Sequence, residues 1–289
     1  MQESLNILIN IDENYIDRAK DLIYTIKKYN DVYIALYLIY NNVNKKHIDD
    51  LSKYITDNNY GELHCIYCNI NDEIFPQKFE YISKVTYLRL FAPFYLKDKV
   101  DKILYLDCDI LCNGNIVDLY NTDFEDNIFI ACENMLKEEL KLWGIVNNRR
   151  LRVKDDYKYI NAGVLLINVN KYVEVTTQEL IIKFIKDNYE ALIYQDQDVI
   201  NKVFHKKIKI VSNIYNYQIN SVVKDYMNDV RLVHYSENQK PWNDDYKSPK
   251  KALYYYKLLR EQNKIDRLRK LIKTHCQNMA DNIFEMIMK

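Results

Sequence analysis

Two aspartates one residue apart stand where an apolar run ends. The segment Lys102–Cys112 reads KILYLDCDILC, so a strand-like stretch feeds directly into Asp107, Cys108 and Asp109. At strand spacing, residues i and i+2 share a face, which brings both carboxylates to one point. Like charges so close repel unless one is protonated or a cation sits between them. A bare D-x-D is common by chance, and two surface acids closing a strand would explain it. The apolar Ile110–Leu111 that follows weighs against this, because acids enclosed by core segments are costly unless paired or metal-bound. A divalent cation held by these oxygens would neutralise a diphosphate.

The glycines sharpen that expectation. Only four occur in 289 residues, Gly61, Gly114, Gly144 and Gly163, and no two have the spacing of a dinucleotide fingerprint or a P-loop. Any bound nucleotide must have its phosphates met by something other than a glycine loop. With 41 basic and 41 acidic side chains the formal charge is zero, which gives no global reason to expect nucleic acid. Hydrophobic residues at 48% and charged residues at 28% exclude a disordered chain. The 27 tyrosines, with many Asn, Ile and Lys, read as compositional bias rather than a functional signal.

Six cysteines (Cys65, Cys68, Cys108, Cys112, Cys132 and Cys276) sit mostly in apolar runs, where a thiol behaves as a small hydrophobe. Cys65 and Cys68 have CxxC spacing, but no second pair exists and strand positions i and i+3 face opposite ways, against zinc. Free thiols in a chain of this size point to a reducing compartment. The start, MQESLNILINIDENY, lacks a basic n-region and a long apolar core, and Ile34–Tyr40 is too short to span a bilayer. The expected location is cytoplasmic.

The elements that must hold the acid pair follow from periodicity. Leu5–Ile9, Val32–Ile39, Leu63–Tyr67 and Ile103–Leu106 read as strands, with Tyr15–Tyr29 and His47–Ile55 as helices between them. Such alternation implies an α/β fold with a central, mainly parallel twisted sheet flanked by helices. Lys78–Leu96 reads as one helix bent at Pro93. Further on, Ile128–Cys132, Gly163–Val169, Lys207–Val211 and Val230–His234 read as strands, and Glu179–Tyr189 and Gln195–Phe204 as helices. The strand ends carrying the acids are where open α/β sheets bind ligands.

Taken together, six segments in order resemble glycosyltransferase family 8, from about Asn6 to Trp242. They are NILINIDENY, TYLRL (Thr86–Leu90), LYLDCD (Leu104–Asp109), NAGVLLIN (Asn161–Asn168), YQDQDVIN (Tyr194–Asn201) and HYSENQKPW (His234–Trp242). The resemblance implies a GT-A type nucleotide-sugar-binding fold, a manganese ion with magnesium as alternative, and a UDP-sugar donor. It implies metal ligation by Asp107, Asp109 (through both oxygens) and His234, a neutral imidazole with two carboxylates being a set that suits manganese. Without that context, His234 would be read as a satisfied core histidine.

The remaining carry-over is residue by residue. Tyr15 matches the position that stacks on uracil, with Asp12 and Asn14 bonding its edge, although D-E-N-Y also makes an ordinary helix cap. Lys240 matches the lysine at the diphosphate. Arg89, set in the apolar VTYLRLFAPFYL, needs an anionic partner: a structural carboxylate or, as the resemblance implies, the donor. Asn161 matches a donor-sugar position. Asp196 and Gln197 match the donor-hydroxyl acid and the amide facing the anomeric carbon, and acids also suit the helix start there.

Because Gln197 is a poor nucleophile, the resemblance favours retention by same-face attack over double displacement, with Asp196 as the alternative nucleophile. Three departures stand out. Glu237 replaces the glycine usual in the closing motif, Asn10–Ile11 stand where small residues are common, and Glu133–Asn134 shift an acid by one position. The alternatives are a sugar-nucleotide nucleotidyltransferase, which the glycine shortage opposes, and a catalytically weak binding module, which Glu237 favours. No feature separates UDP-glucose from UDP-galactose, or identifies the glycan or glycolipid acceptor.

Zero charge hides an asymmetry. Between Tyr246 and His275, ten basic residues face two acidic ones, an excess of +8 that leaves −8 on the remainder. The expected division is a catalytic domain over 1–245 and a basic helical C-terminal tail over 246–289. A basic, Tyr- and Leu-bearing helix suits an anionic membrane surface, here the inner face of the plasma membrane, as well as it suits packing on the domain.

Overall fold

Alternating apolar and amphipathic stretches produce β1 (Glu3–Asn10), α1 (Ile16–Tyr29), β2 (Val32–Tyr40), α2 (Lys45–Asp57) and β3 (Gly61–Tyr67) in succession. The computed structural model describes residues 3–69, 71–80, 82–134, 142–154, 156–219, 229–236, 238, 240–243, 254, 255, 257 and 259. The chain divides into two units, Met1–His234 and Tyr235–Lys289.

In the first unit, β4 (Lys102–Leu106), β5 (Ile110–Cys112), α4 (Val117–Tyr120), β6 (Phe129–Glu133), α5 (Leu142–Arg150) and β7 (Ile160–Asn168) follow. They lead to α6 (Val169–Val175), α7 (Gln178–Asp187), α8 (Gln195–Val203), β8 (Ile208–Val211), β9 (Tyr217–Gln218) and β10 (Leu232–His234). Seven strands form one sheet in the order β3-β2-β1-β4-β7-β6-β8, and β5, β10 and β9 form a second. β1 pairs parallel with β2 and β4, β2 with β3, and β6 with β8; β7 runs antiparallel between β4 and β6.

The central strands are apolar on both sides because both faces of the sheet are covered. Leu5, Ile7 and Ile9 of β1 pack with Ala19, Leu22, Ile23 and Ile26 of α1 on one face. Leu8 and Tyr105 lie on the other, in a cluster with Leu88, Phe91, Tyr172, Val199 and Phe204. Because they run parallel, β1 and β4 deliver their C-terminal ends to the same edge. That edge carries Asn10 and Asp107.

The single helix expected over Lys78–Leu96 does not form. Lys78–Glu80 are non-helical, Lys84–Leu90 is a 3-10 helix, and α3 (Ala92–Leu96) is separate. Ser83 makes a new start, its Oγ accepting the Val85 N–H at 3.3 Å. Pro93 lies in the first turn of α3, where its missing N–H costs nothing, instead of bending a longer helix. The 3-10 segment is pinned by Tyr87 stacking on Phe75, with ring centroids 4.5 Å apart. β7 begins at Ile160, ahead of the expected Gly163, so Asn161 lies in a strand.

Cys65 is exposed and Cys68 buried, and all described cysteines are free. In the second unit, the Tyr255 ring lies 5.3 Å from Tyr235 and 5.5 Å from Trp242. Most of the expected basic helix, and Glu237, lie outside the described residues. Among those described, no helix is long and apolar enough to cross a membrane.

Candidate active site

The turn after β4 is where the acids converge. The Asp107 N–H donates to the Gly163 carbonyl at 2.9 Å, so the β4–β7 ladder continues one step past the strand. β5 then pairs antiparallel with β10, His234 standing opposite Ile110. This register brings His234 to the acids from far along the chain. Its Nε2 lies 3.2 Å from Asp109 Oδ1 and 3.8 Å from Asp107 Oδ2.

Asp107 is used asymmetrically. Its Oδ1 lies 3.0 Å from Arg89 Nη2 and also takes the Tyr105 hydroxyl proton. That hydroxyl lies within reach of Asn10 Oδ1 as well, and its one proton goes to the charged acceptor. Oδ2 is left facing His234. Arg89 also reaches Asp196 Oδ2 through Nε at 3.0 Å and the Ala162 carbonyl through Nη1 at 2.5 Å. It is 4% exposed, and its guanidinium sits 4.1 Å from the centroid of the Tyr105 ring. Burial alone would weaken its hold on the proton, but the carboxylates of Asp107 and Asp196 outweigh burial and strengthen it. Burial pushes the Asp196 carboxyl up to about 6, against the pull of Arg89.

The start of α8 is strained into place. Gln195 has φ 51°, a left-handed conformation uncommon outside glycine, and is fully buried. Its Oε1 accepts the Thr86 hydroxyl at 2.8 Å and its Nε2 donates to the Ile82 carbonyl at 3.0 Å. That clamp turns Asp196 to Arg89 and Gln197 to β7. Gln197 Oε1 accepts the Ala162 N–H at 3.1 Å and Asn161 Nδ2 at 3.2 Å, while its Nε2 donates to Tyr159 Oη at 3.2 Å. Behind it, Tyr159 donates to Asp198 at 2.6 Å, and Arg150 grips Asp198 with two bonds of 2.8 and 2.9 Å.

Gly163 owes its place to the side chain it lacks. A Cβ there would come within 2.3 Å of His234 Cε1, 2.8 Å of Nδ1 and 2.9 Å of Asp107 Oδ2. The hydrogen bonds also fix the imidazole. Asn161 Oδ1 accepts the Gly163 N–H at 3.0 Å, so the same oxygen receives Asn216 Nδ2 at 2.8 Å. Asn216 Oδ1 must then face His234 Nδ1, 2.8 Å away, and the proton lies on Nδ1. In the neutral ring the Nε2 lone pair then meets two carboxylate oxygens, an arrangement that calls for a cation. One ligand atom each from Asp107, Asp109 and His234 lie within 4.8 Å of one another, a nitrogen and oxygens suited to manganese or magnesium.

The other expected residues have surroundings of their own. Asp12 caps the 3-10 turn Glu13–Tyr15, its Oδ1 accepting the Asn14 N–H at 3.0 Å. Asn14 is exposed. Tyr15 lies near the acids: its phenol is pushed up first by burial, then by the charges of Asp109, Asp12 and Asp107. Lys240 belongs to the second unit, where its Nζ donates to the Tyr235 carbonyl at 2.7 Å. Sequence reasoning missed Tyr105, Asn216, and the Asp198–Arg150 pair. Asp198 stands within the QDQD run, but Asn216 and Tyr105 carry no signal in a chain rich in both types.

An open α/β sheet with an acid pair and a histidine at its strand ends is a GT-A type architecture. The profile of Glycosyl transferase family 8 matches residues 6–246, and the chain belongs to that family. It is 29% identical over 177 residues to lipopolysaccharide 1,3-galactosyltransferase of Salmonella typhimurium, a match covering 55% of this chain and 49% of that one. It is 26% identical over 263 residues to a lipopolysaccharide 1,2-glucosyltransferase of Escherichia coli, covering 84% and 74%. The chain spans about half to two-thirds of the length of the first curated relatives it matches. In fold it is similar to the galactosyltransferase LgtC, solved with donor and acceptor sugar analogs, with a TM-score of 0.74. That match has 24% identity and covers 88% of this chain and 95% of LgtC.

Proposed function

We propose that the protein transfers a hexose, glucose or galactose, from a UDP-sugar to a glycan or glycolipid acceptor with retention of configuration. The observation that carries this is the convergence of Asp107, Asp109 and His234 at the strand edge, in a family 8 chain. Relatives named as lipopolysaccharide galactosyl- and glucosyltransferases support the hexose and the acceptor class. Asp107 Oδ2, Asp109 and His234 Nε2 would hold manganese. When bound, the metal supplies Lewis-acid stabilisation of the departing diphosphate.

Around it, each residue has a task. Tyr15 offers its ring to the uracil, and Asp12 and Asn14 its hydrogen bonds. Arg89 and Tyr105 hold one oxygen of Asp107 so that the other points inward. Lys240 is assigned to the diphosphate from the closing motif alone. Same-face attack is favoured because Asp196, the alternative nucleophile, is 3% exposed and paired to Arg89. The Gln197 carbonyl is already committed to Ala162 and Asn161. A catalytic domain over 1–245 acts in the cytoplasm, and the basic tail over 246–289 holds it against the anionic inner face of the membrane.

The test is UDP release from UDP-glucose and UDP-galactose with manganese, with chelator, and with Asp109→Asn. Metal-dependent release by wild type, lost in the variant, is expected. Near-normal turnover of folded Asp109→Asn would refute the metal assignment, and an inverted product anomer would refute retention. Formation of a sugar nucleotide from a nucleoside triphosphate would favour the nucleotidyltransferase alternative, and binding without turnover the binding module.

A further inference from the structure

We propose that Asn216 is a positioning residue for the metal centre, and that Asn216 and Asn161 form a directional relay that locks His234 in its metal-accepting tautomer. The inference deepens the metal reading above and rests on it. The relay begins at a donor that has no choice. A backbone N–H only donates, so the Gly163 N–H, 3.0 Å from Asn161 Oδ1, fixes which end of that amide is oxygen. Asn216 then has to present Nδ2 to Asn161 and Oδ1 to His234, at 2.8 Å in each case. His234 is left with Nδ1–H bonded and a lone pair on Nε2, aimed at Asp109 and Asp107.

A second backbone donor reinforces the first. The Ala162 N–H fixes Gln197 Oε1, which also takes Asn161 Nδ2. Asn161 Nδ2 also points to Asn134 Oδ1 at 3.4 Å. With two donors on its oxygen and two acceptors at its nitrogen, Asn161 has its bonding capacity taken up inside the protein. Its work is to connect the reaction-face amide to the metal-ligand imidazole. Asn216 is fully buried and His234 is 2% exposed, so no water replaces a lost partner cheaply. Ligand histidines are commonly oriented by the bond of their other nitrogen, and loss of such a partner costs about 10–100-fold in metal affinity.

The test compares wild type, Asn216→Leu, Asn216→Asp and His234→Ala. Mn2+ affinity is measured by electron paramagnetic resonance without nucleotide, folding by thermal unfolding, and the tautomer from imidazole nitrogen shifts in metal-free protein at mildly alkaline pH. His234→Ala assigns the ring signals. Wild type should show the Nδ1–H form. Asn216→Leu should lose the tautomer preference and about 10–100-fold in Mn2+ affinity, whereas Asn216→Asp, which keeps an acceptor for Nδ1–H, should retain the tautomer and bind more tightly than Asn216→Leu. A predominant Nε2–H form in wild type overturns the inference even if no variant folds. Folded Asn216→Leu with wild-type affinity overturns it while the metal reading stands. No Mn2+ uptake by wild type overturns both.

Discussion

Gly163→Ala tests the site by adding one methyl group. Gly163 has no left-handed backbone, so alanine meets no conformational objection, and the effect is purely one of space. The new carbon would lie 2.3 Å from His234 Cε1, so reaching an ordinary contact of about 3.5 Å requires the ring to retreat by about 1.2 Å. The ring is 2% exposed and tethered to Asn216, and Asp107, whose Oδ2 would also lie 2.9 Å from the new carbon, is held by Arg89 and Tyr105. Overpacking of this kind costs about 1–3 kcal/mol. Function should suffer more, since ligand distances must hold to about 0.2 Å and a misplacement near 1 Å can cost about 100-fold in rate. Expected, then, is a Mn2+ affinity reduced at least tenfold and UDP release reduced about 100-fold, with the fold retained. Gly144→Ala is the control: its added Cβ would lie 3.7 Å from Tyr159 Cβ, and alanine favours the helix by about 0.5–1 kcal/mol. Wild-type Mn2+ affinity in folded Gly163→Ala would refute the reasoning.

Other predictions follow from the charges. Asp196 binds its proton more tightly folded than unfolded, so its contribution favours folding at low pH and is lost as pH rises from about 4 to 6. Asp196→Asn should therefore flatten the pH dependence of urea stability in that window, and an unchanged profile would refute the burial argument. Arg150→Met should destabilise by about 3–5 kcal/mol, because it strands the fully buried Asp198 carboxylate; adding Asp198→Asn should recover part of that, and a neutral single variant would count against a structural role for the pair. Deleting residues 246–289 should abolish co-sedimentation with anionic vesicles, and equal binding by the truncated protein would sink the membrane proposal.

The core sheet was legible because its strands are unbroken apolar runs, and the acid pair because two charges interrupt one of them. What stayed hidden has physical causes. The segment 78–96 has a helical pattern, but periodicity does not see that Ser83 and Pro93 each begin a new turn. α5 went unread because LWGIVNNRR combines glycine and asparagines, poor helix formers, with little amphipathic contrast. Asn216 sits in NIYNYQIN, where three other asparagines or amides make it inconspicuous. Only the β10–β5 register, which brings His234 beside the acids, gives that asparagine something to orient.

Arg89 is held by the protein's own carboxylates. Two carboxylates, Asp107 and Asp196, pair with the buried guanidinium of Arg89. It leaves Asp109 and one oxygen of Asp107 uncompensated by Arg89, on the side where His234 presents its lone pair. A guanidinium free to meet the donor would have to give up one of these pairs, and releasing Asp196 would leave unpaired a carboxylate whose burial already raises its proton affinity. Its consequence is therefore exerted on the protein: it divides Asp107 into an oxygen held by Arg89 and Tyr105 and one left facing His234. The two acids, alike in sequence, are thus two unlike carboxylates, and the difference is made by Arg89 and Tyr105.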